Sequence, residues 1–223
     1  MDAFWSLLMF LGSTLCHQLP ERSYFFGSLQ MPLCARCIGI HFGFLLSTAF
    51  LWTGSRRFTS GIPSLKHMGV LGVVMAFFLL DSSLSYGGIS TSDNLRRTLS
   101  GLSLGVTFPF FVIPLLNSTI FPGRNTTQLF SKMSDWAWFA GLYGFAAAVI
   151  LLSTRFEPQF YAVSIVGVTG IFLFFIVTIS LVFMLAFENS PYPKRLKLAG
   201  AGITAVTLLL TLALLHRWFI GTP

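Results

Sequence analysis

The stretch Tyr161-AVSIVGVTGIFLFFIVTISLVFMLA-Phe187 runs for 27 residues without one Asp, Glu, Lys, Arg or His. About 20 apolar residues cross the hydrocarbon core of a bilayer, so this segment reads as a membrane-spanning helix long enough to tilt. Working outward, one further apolar run follows it, about Leu198–Trp218. Four precede it, at about Trp136–Ser153, Leu95–Phe121, Met68–Tyr86 and Pro32–Trp52. Pro109 and Pro114 should kink the Leu95–Phe121 helix. Pro32 should open its helix, because a missing N–H costs nothing in a first turn. The run Ala3–Cys16 is apolar but short of a full crossing. The expected fold class is all-α, a polytopic transmembrane helix bundle of six to seven helices with a short first helix. Residues 1–223 form a single transmembrane domain in this reading.

Composition agrees. The chain is 54% hydrophobic and 9% charged, whereas soluble domains carry about 25% charged residues. The net charge of +7 comes without a compact basic module, so nucleic acid is excluded as a partner and the lipid bilayer takes its place. Basic loops beside apolar spans account for the excess. Asp2 and the lack of a small-x-small cleavage site make the first segment a retained helix, not a signal peptide. With the N-terminus inside, the inner loops hold Arg56, Arg57, Lys66, Arg124, Lys132, Lys194, Arg195 and Lys197. The outer face holds Arg22, Arg36, Arg96, Arg97, Arg155 and Arg217. Eight against six favours this orientation in the cell (cytoplasmic) membrane. It leaves the glycosylation triplets at Asn117 and Asn125 cytoplasmic or buried.

The three cysteines, Cys16, Cys34 and Cys37, all fall within residues 16–37, a loop and helix start, and His17 adjoins the first. On a helix beginning at Pro32, Cys34, Cys37 and His41 share one face. Unpaired N–H groups and the helix dipole would favour thiolates at Cys34 and Cys37. Cys16, His17, Cys34 and Cys37 make a ligand set of three thiolates and one imidazole, suited to zinc, with iron and copper as alternatives. His41 is a lesser candidate. The same Cys-x-x-Cys also fits a membrane thiol–disulfide oxidoreductase that passes electrons to a quinone, or an inert structural cluster.

Asp81 follows thirteen uncharged residues. A carboxylate at that depth needs a partner or a polar cavity. Paired with Arg97 it locks two helices. Otherwise Asp81 serves as metal ligand or general base and Arg97 as an anion clamp. Glu21 and Arg22 lie in the Cys/His loop and are placed around the site. The candidate catalytic residues are thus Asp81, Arg97 and Glu21. A membrane-embedded metalloenzyme acting on a lipid-like or amphiphilic substrate accounts for this set, the metal polarising substrate or activating water. A metal-ion transporter or a structural metal-site scaffold stands as a further alternative.

The run Cys16-His17-Gln18-Leu19-Pro20-Glu21-Arg22-Ser23-Tyr24-Phe25, then Gly27 and Gln30-Met31-Pro32-Leu33-Cys34-Ala35-Arg36-Cys37-Ile38-Gly39-Ile40, resembles the signature of the prokaryotic membrane-protein family called domain of unknown function 2085. Asp81, Asn94, Arg97 and Gly101 match its later pattern. Ser82, Tyr86 and His41 depart from it. The resemblance implies a shared site and brings no activity with it.

Overall fold

A computed structural model describes residues 3–53, 56–124, 126–130 and 132–220; Asp2 and Asn125 lie outside them. The elements are α1 (Ala3–Gly12), β1 (Ser23–Phe26), β2 (Leu29–Cys34), α2 (Ala35–Leu51), α3 (Leu65–Tyr86), α4 (Asn94–Thr107), α5 (Pro109–Ile120), α6 (Met133–Ser153), α7 (Glu157–Ala186) and α8 (Lys194–Ile220). Between α4 and α5, Phe108 keeps helical angles (φ −58°, ψ −39°) while Pro109 cannot donate, so the two halves are one kinked span. Counted so, the described residues hold seven helices. Five of them, α3, α4–α5, α6, α7 and α8, are long and apolar enough to cross a bilayer. The all-α helical bundle with a short first helix is therefore what the chain forms. Ten residues make α1 about 15 Å long.

The expected helix start at Pro32 is corrected. Pro32 lies in β2, and α2 begins at Ala35 with Cys34 as its N-cap residue. Proline is tolerated in a two-stranded ribbon where no N–H is required, and it biases Met31 before it toward extended angles. Met31 and Leu33 on this strand are fully buried, and that apolar anchoring outweighs any helical first turn.

Eleven of the 17 residues of α2 are buried, so this helix is the axis of the bundle and does not need bilayer length. Its tightest neighbour is α4. A Cβ at Gly39 would sit 2.5 Å from the Thr98 carbonyl oxygen, and one at Gly101 or Gly105 would collide with the carbonyl oxygen of Arg36 or Ile40. On another side, Gly170 of α7 meets the His41 backbone in the same way. Lipid tails are as apolar as side chains, so helices in a membrane associate through such close backbone contact. In contrast, α3 buries only Leu71 and Asp81 and leaves Val70, Val73, Leu79 and Leu80 exposed, a surface suited to lipid.

The two ends of the bundle differ. One carries the β1–β2 hairpin, the cysteines and the start of α4. The other is tied by Asn117 Nδ2 donating to the Thr59 carbonyl (2.9 Å), Lys194 Nζ to the Thr119 carbonyl (2.8 Å) and an Arg56–Asp135 pair (3.3 Å).

Substituting Gly101→Val should force α2 and α4 apart and cost about 1–3 kcal/mol. Gly69→Ala, where nothing lies within 4 Å, should stay within about 0.5 kcal/mol. Thermal unfolding of both variants in detergent measures the difference.

Candidate metal centre

The site is built by a hairpin. Gly27, at φ +57°, takes the first position of a two-residue turn, where a left-handed residue matches the strand twist. The resulting register pairs Phe26 with Leu29, Phe25 with Gln30 and, across a bulge, Ser23 with Cys34. Upstream, Gln18 adopts φ +52°, which turns the chain sharply after Cys16. The buried Gln18 amide repays that conformation by donating to the carbonyls of Met9 (2.7 Å) and Pro32 (2.8 Å). Gln30 Nε2 adds a bond to the Gln18 carbonyl at 2.6 Å. The end of α1 is thereby laced to β2.

This lacing brings Cys16 to the start of α2. Its Sγ accepts from the backbone N–H of Gln18 (3.4 Å) and of Cys34 (3.1 Å). The sulfurs of Cys16, Cys34 and Cys37 all lie within 4.8 Å of one another, and all three are free thiols. Tetrahedral zinc with bonds of about 2.3 Å would hold sulfurs about 3.8 Å apart, so the trio is within a small closure of a ligand set. The Cys16 and Cys37 thiols donate to Cys34 and push its pKa down to about 2, helped by the backbone N–H groups of Cys37 and Arg36. Donation to Cys34, with burial, pushes Cys16 up to about 12. The cluster thus holds its negative charge at Cys34, the residue at the helix N-terminus.

Other predicted site residues lie elsewhere. His17 is outside the trio: it is exposed, and its ring stands edge-on to His216 with centroids 5.7 Å apart. Its neighbour Cys16 is buried. His41 is one turn deeper than Cys37, where its ring meets Phe174 edge-on at 5.7 Å. Glu21 is exposed, with its carboxylate 3.8 Å from the adjacent Arg22.

The expected Asp81–Arg97 pair is also corrected. Asp81 is 1% exposed and binds Arg36 Nη2 at 2.5 Å and Arg96 Nε at 2.7 Å. Hydroxyls of Ser92 (3.1 Å) and Ser100 (2.8 Å) also donate to it. Both carboxylate oxygens are committed, which leaves Asp81 a tie between α2, α3 and α4 with no lone pair reserved for a metal or a proton. Arg96 makes the contact, from the side of α4 on which Ser100 also reaches Asp81. Arg97, rotated about 100° from it, donates from Nε to the Ser92 carbonyl at 2.8 Å. It lies where the charges of Arg22, Arg36, Cys34 and Tyr86 act on it. Arg22 and Arg36 both sit over the Tyr86 ring, 5.8 and 5.6 Å from its centroid. Arg36 and Arg96 are thus the residues that a reading of Asp81 with Arg97 overlooks. No spacing in the sequence separates Arg96 from Arg97, since Ser100 is four residues from one and three from the other.

Comparisons with known proteins give relatives and one family. The chain is 28% identical over 122 residues to an uncharacterized protein of Methanocaldococcus jannaschii, covering 53% of this chain and 76% of that protein. It is 28% identical over 92 residues to an uncharacterized protein of Methanothermobacter thermautotrophicus, covering 41% of this chain and 78% of that one. No solved structure matches. The profile of one family matches residues 16–111, a stretch that contains the hairpin, the three cysteines, Asp81 and the arginines around it. Residues 16–111 of this chain are similar to the family described as predicted membrane protein (DUF2085).

Proposed function

We propose that this membrane protein carries a metal–thiolate centre in which Cys16, Cys34 and Cys37 hold one soft cation, zinc by preference and iron or copper as alternatives. The convergence of three sulfurs within 4.8 Å carries this reading. The helix start at Cys34 favours the deprotonated form that ligation requires. Among the described residues no fourth His, Cys, Asp or Glu joins the trio. Three protein ligands with one position open is the pattern of catalytic zinc, whereas structural zinc is closed by four. A bound zinc would supply Lewis acidity toward a substrate oxygen or a water. We therefore read the protein as a membrane-embedded metalloenzyme for a lipid-like or amphiphilic substrate. The centre lies at the extracytoplasmic interface, with the N-terminus inside, because the more basic loops belong to the opposite end.

In this reading the chain's own groups have separate tasks. The Gln18 amide holds the hairpin against α1. Asp81, with Arg36 and Arg96, fixes where α2, α3 and α4 meet. His17 is a rim residue.

One competing reading has a specific support. The low pKa of the Cys34 thiol also suits a nucleophile in thiol–disulfide exchange with a quinone as electron acceptor. Elemental analysis and thiol titration of the protein purified in detergent separate the two. About one zinc or iron per chain with no disulfide supports the metal centre. A metal-free protein whose Cys34–Cys37 bond opens and closes with quinone redox state overturns it.

Cys16→Ser, Cys34→Ser and Cys37→Ser should each lower the metal content well below one per chain, while His17→Ala should retain it. Plasma mass spectrometry of the purified variants reads both. Asp81→Asn should cost about 3–5 kcal/mol of stability, because it strands two arginines near a low-dielectric core. It should still bind metal at full stoichiometry. Unfolding temperature and metal content measured on one preparation check the pair of outcomes.

A further inference from the structure

Four arginines, Arg22, Arg36, Arg96 and Arg97, crowd the ends of α2, α3 and α4 beside the cysteine trio, and they are not evenly matched by acids. Asp81 is shared by Arg36 and Arg96, at 2.5 and 2.7 Å. Asp93 is exposed and uses its carboxylate as the N-cap of α4, accepting from the Arg96 N–H at 2.7 Å. Glu21 is 65% exposed and 3.8 Å from Arg22, a distance and exposure at which water screens most of the attraction. Among the described residues no carboxylate lies within 4.0 Å of Arg97.

Two guanidiniums are thus left without a committed anion. They are also close to other positive charge: Arg22 and Arg36 share the Tyr86 ring, and both repel Arg97. A second, independent observation comes from Arg36. It is 7% exposed, yet its Nε has no hydrogen-bond partner. A buried charged donor left unpaired is costly, and like charges gathered at a membrane interface add to the cost. Guanidiniums recognise phosphate and carboxylate through paired N–H donors. One oxyanion would satisfy the spare donors and relieve the repulsion.

We propose that Arg22, Arg97 and the spare Nε of Arg36 form an oxyanion-binding site next to the cysteine trio, for the phosphate or carboxylate group of the substrate. This names the substrate class for the metal centre and rests on that reading for its role. The arginine geometry itself does not depend on a metal. The anion comes either free from water or as the headgroup of an anionic lipid, and the chemistry of recognition is shared.

The test uses the full chain, purified in a neutral detergent, with metal content measured on each sample. Inorganic phosphate is titrated by calorimetry, and phosphatidylglycerol or phosphatidylcholine is offered in nanodiscs. Wild type should bind phosphate, phosphatidylglycerol or both in preference to phosphatidylcholine. Phosphate binding points to a soluble anion, and phosphatidylglycerol binding alone points to a lipid headgroup. Arg97→Gln and Arg22→Gln should each weaken binding about tenfold or more, and Arg97→Lys should restore only part of it. Arg22 is a half-exposed turn residue, so its variant keeps the test decisive if Arg97→Gln fails to fold. Equal binding by wild type and the Arg22→Gln variant, or no preference for anions, overturns the proposal. Metal present without anion binding sinks this site and spares the metal centre. Anion binding by a metal-free protein does the reverse.

Discussion

The contact on which the rest of this structure depends is the glycine-lined crossing of α2 and α4. Gly39, Gly101 and Gly105 let the two backbones touch, and every group of the candidate site hangs from one of these helices or packs on their ends. Cys34, Arg36 and Cys37 stand on the first turn of α2. Asn94, Arg96, Arg97 and Ser100 stand on the first two turns of α4. Thr98 and Tyr24 seal the contact, with the Thr98 hydroxyl donating to the Ala35 carbonyl (3.3 Å) and Tyr24 bonded to Thr98 (2.8 Å). A side chain wedged into the crossing would separate the cysteines from Arg96 and Arg97. In a bilayer no hydrophobic gradient would press the helices together again.

Charge is distributed around that crossing economically. One buried carboxylate, Asp81, offsets two arginines and takes two hydroxyl donors. Its burial is tolerable because all its hydrogen-bonding capacity is used. The same contacts attach α3, a helix that otherwise buries only Leu71, to the two central helices. The negative charge of the thiol cluster is collected at Cys34, where the start of α2 and neighbouring thiols stabilise it. A net positive rim of arginines then faces a negative sulfur. This arrangement suits a centre that holds a cation on one side and an anion on the other.

How much of this was legible beforehand follows from the range of the interactions involved. Apolar run length depends on local composition alone, so α3, α6, α7 and α8 stand within a few residues of their expected positions. The clustering of Cys16 with Cys34 and Cys37 was also accessible, because 18 residues of loop and ribbon close easily. The hairpin was less visible. Gly27-Ser28 between Tyr24-Phe25-Phe26 and Leu29-Gln30-Met31 is a turn signal flanked by β-formers, but Pro32, the next residue, reads equally as a helix start. His17 was grouped with Cys16 by adjacency. Cys16 is buried and His17 exposed, and no periodicity announces which way a side chain turns in a loop. Arg96 and Arg97 are neighbours in the chain and point about 100° apart on the helix, so which one meets Asp81 depends on where α3 lies.

The sequence by itself determined that the chain enters a membrane, how many apolar rods it has and which residues could ligate a cation. Hydrophobic length and side-chain chemistry are properties of each segment alone. The tertiary structure decided that three sulfurs converge without an imidazole, that Asp81 serves as a tie, and that two arginines keep donors to spare. Each of those depends on distances between segments, and such distances are set by how closely helix backbones approach and at what rotation they meet.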